Sequence, residues 1–232
     1  MPRTDPHPCL GSLRAVLLLA FDTATPAVTV ALFDGDRVLA ASTVVDARRH
    51  GELLAPGIAR VLDEAGRTLR DVTDIAVGVG PGPFTGLRVG LVTARSFGDA
   101  LGVPVHGVCT LDTIAYGSEL AGPLAVVTDA RRREVYWARY ADARTRLTEP
   151  AVDRPADIAA ELAGLPVAGQ GARLYPDHFP KAVDPEYPDA ATLARLAAER
   201  LAGGGAFLPP LPLYLRRPDA VEPGPRKRVL PG

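Results

Sequence analysis

The chain has 232 residues, enough for one generous core or two small ones, with 47% hydrophobic residues and a formal net charge of −1. So balanced a charge excludes a global field that would draw the protein to nucleic acid or an anionic membrane. Two cysteines, Cys9 and Cys109, are too few for a disulfide framework, and no segment reaches the roughly 20 apolar residues that span a bilayer, so a soluble protein of the reducing cytoplasm is expected.

Residues 1–14 are proline-rich and are expected to form a disordered extension. Arg14 and the apolar run after it resemble parts of a signal peptide, but Asp22 ends the run and no small-residue cleavage site follows. Residues 16–21, 27–33 and 37–45 read instead as strands joined by turns at 23–26 and 34–36. A helix is predicted over 49–66, with Leu53, Leu54, Ile58, Val61, Leu62 and Ala65 on its apolar face. Pro56 must lie near its start or kink it, and His50 and Glu52 read as capping or interface residues. A strand signal at 69–73 is weak.

Residues 75–79 form a short apolar run suited to a buried strand, after which Gly80, Pro81, Gly82 and Pro83 force a turn. Thr85 is a candidate cap for a helix over 86–101. Leu87, Leu91, Ala94, Phe97 and Leu101 give that helix a sheet-facing side. Gly86, Gly90, Ala94 and Gly98 recur every four residues, and each interior glycine costs about 1 kcal/mol of helix propensity against alanine. Such a strip admits close approach of another element, either inside the monomer or at a subunit interface. The loop before it is no phosphate cradle of the GxxxxGK[ST] kind: it has no lysine at the helix start, and two prolines remove two donors.

A strand over 103–108 closes the first half, with Cys109 behind it as a core thiol and a helix from Thr110 onwards. Residues 124–128 and 134–140 read as a hairpin that restarts the strand pattern. Asp129 and Arg131, Arg132 and Arg133 lie between them, where a solvated charged turn is one reading. Residues 191–201 form an amphipathic helix stopped by three glycines, PLYLRR is extended, and 221–232 is a basic, proline-rich tail. His7, His50, His106 and His178 include no pair at metal-ligand spacing. No GxSxG elbow or zinc motif is present.

FDTATPAVTVAL, RHGELLAPGI, GPGPFTGLRVGL, VVTDARRREVYWARY and PLYLR occur in this order, and together they resemble the TsaB (YeaZ) family across nearly the whole chain. The resemblance implies an α/β protein of two actin-like (ASKHA, ribonuclease-H-like) βα domains, 15–109 and 110–220, with the second degenerate. It places Asp22 and Thr23 on the first phosphate-binding turn of that superfold and Asp129 on the second. There they are candidate vestigial nucleotide contacts, although Asp22 and Thr23 equally suit stabilisation of their own turn. The second loop normally carries glycines; the arginines here obstruct close approach while leaving cations that can hold an anion loosely. VAGQG, residues 167–171, resembles the adenine-side glycines. Metal-bearing catalytic relatives carry His-x-x-x-His where this chain has Thr110 and Ile114, so neither metal, cofactor nor catalytic residue is expected.

The function so implied is that of a non-catalytic partner subunit. It binds and supports a TsaD-type enzyme that transfers a threonylcarbamoyl group from its adenylate to N6 of adenosine 37 in tRNA, with a TsaE-type ATPase joining the assembly and tRNA reached only through the complex. Leu53, Leu54, Ile58, Gly86, Gly90, Ala94 and Gly98 are the expected partner-binding residues, and free protein is expected to pair with itself through the same surface. The alternative is a stand-alone actin-fold nucleotide hydrolase or glycopeptidase-like enzyme. Its chemistry needs a nucleophile with its base, or a metal-bound water, and the motifs assemble neither.

Overall fold

In the computed structural model, residues 16–216 are described. The expected extension over 1–14, with His7 and Cys9, and the tail over 221–232 lie outside them. Three strands open the fold: β1 (Leu18–Asp22), β2 (Ala27–Phe33) and β3 (Val38–Val45). Helix α1 (His50–Glu64), a 3-10 turn (Leu69–Asp71), β4 (Asp74–Gly78), α2 (Phe84–Leu101) and β5 (Val105–Val108) complete the first half. These strands form one sheet in the order β3-β2-β1-β4-β5, antiparallel through the first three and parallel from β1 to β5.

After α3 (Thr110–Gly117) the chain makes β6 (Leu124–Asp129), β7 (Val135–Asp142), β8 (Thr145–Arg146) and β9 (Ala151–Asp153). The short α4 (Pro155–Ile158), β10 (Val167–Ala168), α5 (Gln170–Leu174), β11 (Ala182–Val183) and the long α6 (Ala190–Ala202) follow. The second sheet runs β11-β10-β6-β7-β8, with β9 also on β7. Its β6–β7 pair is antiparallel and β10 and β11 are parallel to β6, so it repeats the plan of the first sheet. The repeat is degenerate: β8, β10 and β11 have two residues each. Two such βα sheets in tandem are the actin-like arrangement.

Local chemistry sets the element ends. Helix α2 starts at Phe84, because Pro83 at φ −60° and ψ 139° is already shaped for an N-cap and its carbonyl accepts from Leu87 N at 3.1 Å. Thr85 therefore lies inside the helix and does not cap it. The weak strand signal at 69–73 is a 3-10 turn, closed by Asp71, whose carboxylate accepts from the Thr68 N–H (2.7 Å) and hydroxyl (2.8 Å). Pro56 sits in the second turn of α1 on its exposed side, leaving the Glu52 carbonyl to water.

Helices α1 and α2 cover one face of the first sheet, with Leu54, Ile58, Val61, Leu91 and Ala94 against Leu19, Phe21, Val30 and Val77. The opposite face is covered by α6, the last helix of the described chain, through Leu193, Ala194, Leu196 and Ala197 on Leu18, Ala20 and Ala76. The second half of the sequence thus completes the core of the first. Asp112 of α3 holds the junction: its carboxylate accepts from Tyr140 on β7 (3.0 Å), Arg146 on β8 (2.9 Å) and Arg200 on α6 (3.0 Å). Beyond α6 the chain runs back along β5, pairing Leu208 with Gly107 and bonding Leu213 N to Val79 O at 2.9 Å.

Candidate functional site

The ends of β1 and β6 meet the start of α2 at the cleft between the sheets. Asp22, last residue of β1, is fully buried. One carboxylate oxygen accepts from Ala24 N at 2.6 Å and the other from the Thr110 hydroxyl at 2.7 Å. The Thr110 oxygen in turn accepts from Gly80 N at 3.2 Å. A Cβ on Gly78 would lie 1.8 Å from the Asp22 carboxylate, so glycine is required beneath it. Burial pushes the Asp22 pKa up to about 6, against the opposing pull of the Ala24 and Thr110 hydrogen bonds and the His50 charge. Burial likewise raises the Cys109 thiol to about 12, which keeps it protonated and inert.

Thr23 is equally committed. Its hydroxyl donates to Gly86 O at 2.7 Å and accepts from Gly90 N at 3.1 Å, inserting between two groups one helical turn apart in α2. His50, buried at the start of α1, donates from Nε2 to Thr25 O at 2.8 Å and so pins the β1–β2 turn. Asp22 therefore braces its own turn and Thr23 ties that turn to α2.

The small-residue strip on α2 faces the same way. A Cβ on Gly86 would lie 2.4 Å from Thr23 O, one on Gly90 2.5 Å from Thr23 Oγ1, and one on Gly98 2.4 Å from a Val105 methyl. Ala94, Leu54 and Ile58 are in the core, and Leu53 is half-buried against it. This corrects the expectation that these residues form a partner surface: the close approach the strip permits is to the turn after β1, to Val77 of β4 and to β5. The outward faces of the two helices carry other side chains, including Phe84 (47% exposed), Arg88 and Val92 (61% exposed) on α2.

Across the cleft, Asp129 ends β6 as Asp22 ends β1, and its carboxylate accepts from Arg131 N at 2.9 Å. Arg131, Arg132 and Arg133 follow with φ of 62°, 55° and 61°, three successive residues in the left-handed region. The loop thus has the backbone that glycines adopt freely, built from arginines. An open cleft of about 390 Å³ lies between Pro83, Phe84, Arg131, Tyr136, Tyr214 and Arg216. Phe84 stacks on Tyr214 at 5.5 Å and Arg88 lies 4.0 Å over the Phe84 ring.

Asp22 and Thr23 are buried and so do not face a ligand in the cleft. Asp22 has no exposed surface, and the recess of about 10 Å³ between Ala24, Pro83, Asp129 and Gln170 shares Pro83 and Arg131 with the larger cleft. The Thr128 hydroxyl, buried without a hydrogen-bond partner, lines that small space. Gly169 and Gly171 of VAGQG are demanded by packing, since a Cβ on either would lie 2.3–2.5 Å from Val127 atoms. Ile114 is buried in the second core and Thr110 is bonded to Asp22. Among the described residues, no three His, Cys, Asp or Glu side chains gather where a metal could bind, and no helix is long and apolar enough to cross a membrane.

The fold and the inward-facing residues at the end of β1 define an actin-like protein whose Asp22 and Thr23 are hydrogen-bonded within its own core. The family described as TsaD, tRNA N6-adenosine threonylcarbamoyltransferase, matches residues 41–220. YeaZ from Pseudomonas aeruginosa superposes with a TM-score of 0.74 at 34% identity, over 86% of this chain and 100% of that one. The protein Rv3421c of Mycobacterium tuberculosis, itself uncharacterized, is 47% identical over 217 residues, 91% of this chain and 97% of its own. The tRNA threonylcarbamoyladenosine biosynthesis protein TsaB of Escherichia coli is 38% identical over 126 residues, 53% of this chain and 54% of its own. The chain belongs to the TsaB (YeaZ) family, within the wider group that the TsaD description covers.

Proposed function

We propose that this protein acts in cytoplasmic tRNA threonylcarbamoyladenosine synthesis as the non-catalytic partner of a TsaD-type transferase, in an assembly that a TsaE-type ATPase also joins. The observation that carries the reading is the fate of Asp22: both carboxylate oxygens are hydrogen-bonded inside the protein, one of them to the Thr110 hydroxyl. A carboxylate without exposed surface can neither orient a metal-bound water nor face a phosphate. The family relationship supplies the pathway, and the outward faces of α1 and α2 supply a surface, with Phe84 and Val92 as its exposed apolar side chains.

The test is co-expression with the cognate TsaD-type subunit, followed by calorimetric titration of the two purified proteins. Wild type is expected to co-elute one to one. Val92 is 61% exposed, so Val92→Asp is expected to weaken the heterodimer at least tenfold, about 1.4 kcal/mol, with little change in melting temperature. Failure of the two proteins to associate, or hydrolysis of ATP or peptide by the isolated protein after exhaustive purification, would overturn the proposal.

A further inference from the structure

Gly107 stands inside β5, where a glycine weakens a strand unless another backbone comes close. A Cβ there would lie 2.5 Å from Leu208 O and 2.8 Å from Pro209 O, so the residue is small because a strap, residues 206–216, lies against it. Pro209, Pro210 and Pro212 fix φ at three positions of this strap and leave it few conformations between its fastenings.

Those fastenings run from one half of the molecule to the other. Leu208 exchanges both backbone hydrogen bonds with Gly107 (3.1 and 2.9 Å), and Phe207 packs on the His106 ring at 4.4 Å. Leu213 donates its N–H to Val79 O at 2.9 Å, and its side chain packs against the cores of both halves. Tyr214 stacks on Phe84, and its hydroxyl accepts from Arg88 Nε at 3.3 Å. Arg216 forms an ion pair with Glu134, between β6 and β7. Tyr214 thus answers to the outer face of α2, and Arg216, about 7 Å further along an extended chain, to the opposite wall of the cleft.

Glu134 closes the loop over Arg131, Arg132 and Arg133. Its carbonyl accepts from Ala130 N and its N–H donates to Arg131 O, both at 3.0 Å. The loop's three successive left-handed residues are each disfavoured for a side chain with a Cβ, so their shape persists only where the surroundings enforce it. The Arg216–Glu134 pair is such an enforcement, and it comes from a distant part of the chain.

We propose that the strap is a clasp that couples the outer face of α2 to the arginine loop across the cleft. With the clasp shut, Tyr214 stands on Phe84 and Arg216 reaches Glu134; with it released, the two contacts are lost together, because a single residue separates them. A body that binds Phe84, Arg88 and Tyr214 as they stand favours the shut state, by as much as it prefers that state over the released one. It then firms the loop without touching it. By the same linkage, a loop that loses Arg216 weakens the binding of that body to α2. The inference rests on the partner role above only for identifying the body as the transferase; the clasp itself belongs to the free chain.

Amide hydrogen exchange of the full chain, followed by NMR at Ala130 and Glu134, tests it. In the free chain Arg216→Gln is expected to speed both amides roughly fivefold while those of β1 keep their rates, and Arg216→Glu/Glu134→Arg is expected to restore them. Arg88→Ala, on the other side of the cleft, is expected to speed the same two amides about twofold, and to add nothing once Arg216→Gln is present. Saturating transferase is expected to slow them in wild type and not in Arg216→Gln. Loop amides indifferent to Arg216→Gln or to Arg88→Ala overturn the clasp, as do strictly additive effects of the two. Exchange that rises equally in β1 overturns it too, because the strap is then one more piece of the common core. Slowing by the transferase that survives Arg216→Gln overturns the coupling, since the partner then covers the loop directly. A transferase that does not associate at all refutes the partner role alone, and the free-chain rates still decide the clasp.

Discussion

Gly90→Ala is the smallest change that asks what the strip on α2 packs against. Two effects compete. Alanine gains about 1 kcal/mol of helix propensity over glycine. Against that, the new methyl would lie 2.5 Å from Thr23 Oγ1, a buried hydroxyl holding bonds to Gly86 O and Gly90 N. Displacing it forfeits two hydrogen bonds at about 1 kcal/mol each and adds overpacking of about 1–3 kcal/mol. The clash wins, for a net loss of roughly 2–4 kcal/mol, which in a protein of this size lowers Tm by several degrees. Thr23→Ala alone is milder, because the Gly86 carbonyl and Gly90 N–H can then bond each other as in any helix. The double variant Thr23→Ala/Gly90→Ala should therefore be more stable than Gly90→Ala, a coupling of at least about 1 kcal/mol. Urea unfolding of the four proteins measures it. Strictly additive effects, or a Gly90→Ala protein of wild-type stability that fails to bind the transferase, would refute the internal packing described here.

Asp22 makes stability depend on pH. Its folded pKa of about 6 lies above its ordinary 3.8, so its contribution is complete at low pH and is lost as pH rises through 6. The difference corresponds to about 3 kcal/mol. Asp22→Asn should flatten that slope, standing closer to or above wild type at pH 7.5 than at pH 4.5; parallel pH profiles for the two proteins would count against it. Arg133, at φ 61°, should be improved by glycine. Release of a left-handed penalty of about 1–2 kcal/mol, less the entropic cost of glycine, leaves Arg133→Gly a gain of roughly 0.5–1 kcal/mol in unfolding free energy, read from urea denaturation. A loss would show that the arginine side chain holds the loop.

Most of the first sheet was legible because its strands alternate or run apolar between glycine and proline punctuation, and β2 begins and ends where the pattern does. The direction of the α2 strip was not. Glycines at four-residue spacing announce that something comes close, and only the tertiary contact of Thr23 and Val105 says what it is. The same limit hid the destination of α6, whose pattern fixes a buried face without naming its partner. The two-residue strands β8, β10 and β11 are too short to carry a period at all. At the cleft, DTAT pointed to Asp22 and Thr23, but their commitment to Thr110 and α2 arises from hydrogen bonds across 63 to 88 residues of sequence, which no local pattern carries. Nothing about arginine signals a left-handed backbone, so the shape of the loop over Arg131–Arg133 was unreadable.

The return of α6 to the first sheet has a consequence for how the protein is made. Ala190 N donates to Thr29 Oγ1 across 161 residues of sequence, and the helix it begins seals a whole face of the sheet. While the ribosome is still working through the second half, Leu18, Ala20 and Ala76 have no cover. The first half of the nascent chain therefore waits, partly assembled and with an apolar surface open, until nearly all of the polypeptide has emerged. A gene fragment ending near Cys109 should accordingly yield aggregate instead of a free-standing domain, and supplying residues 190–202 as a separate peptide should rescue some of its solubility.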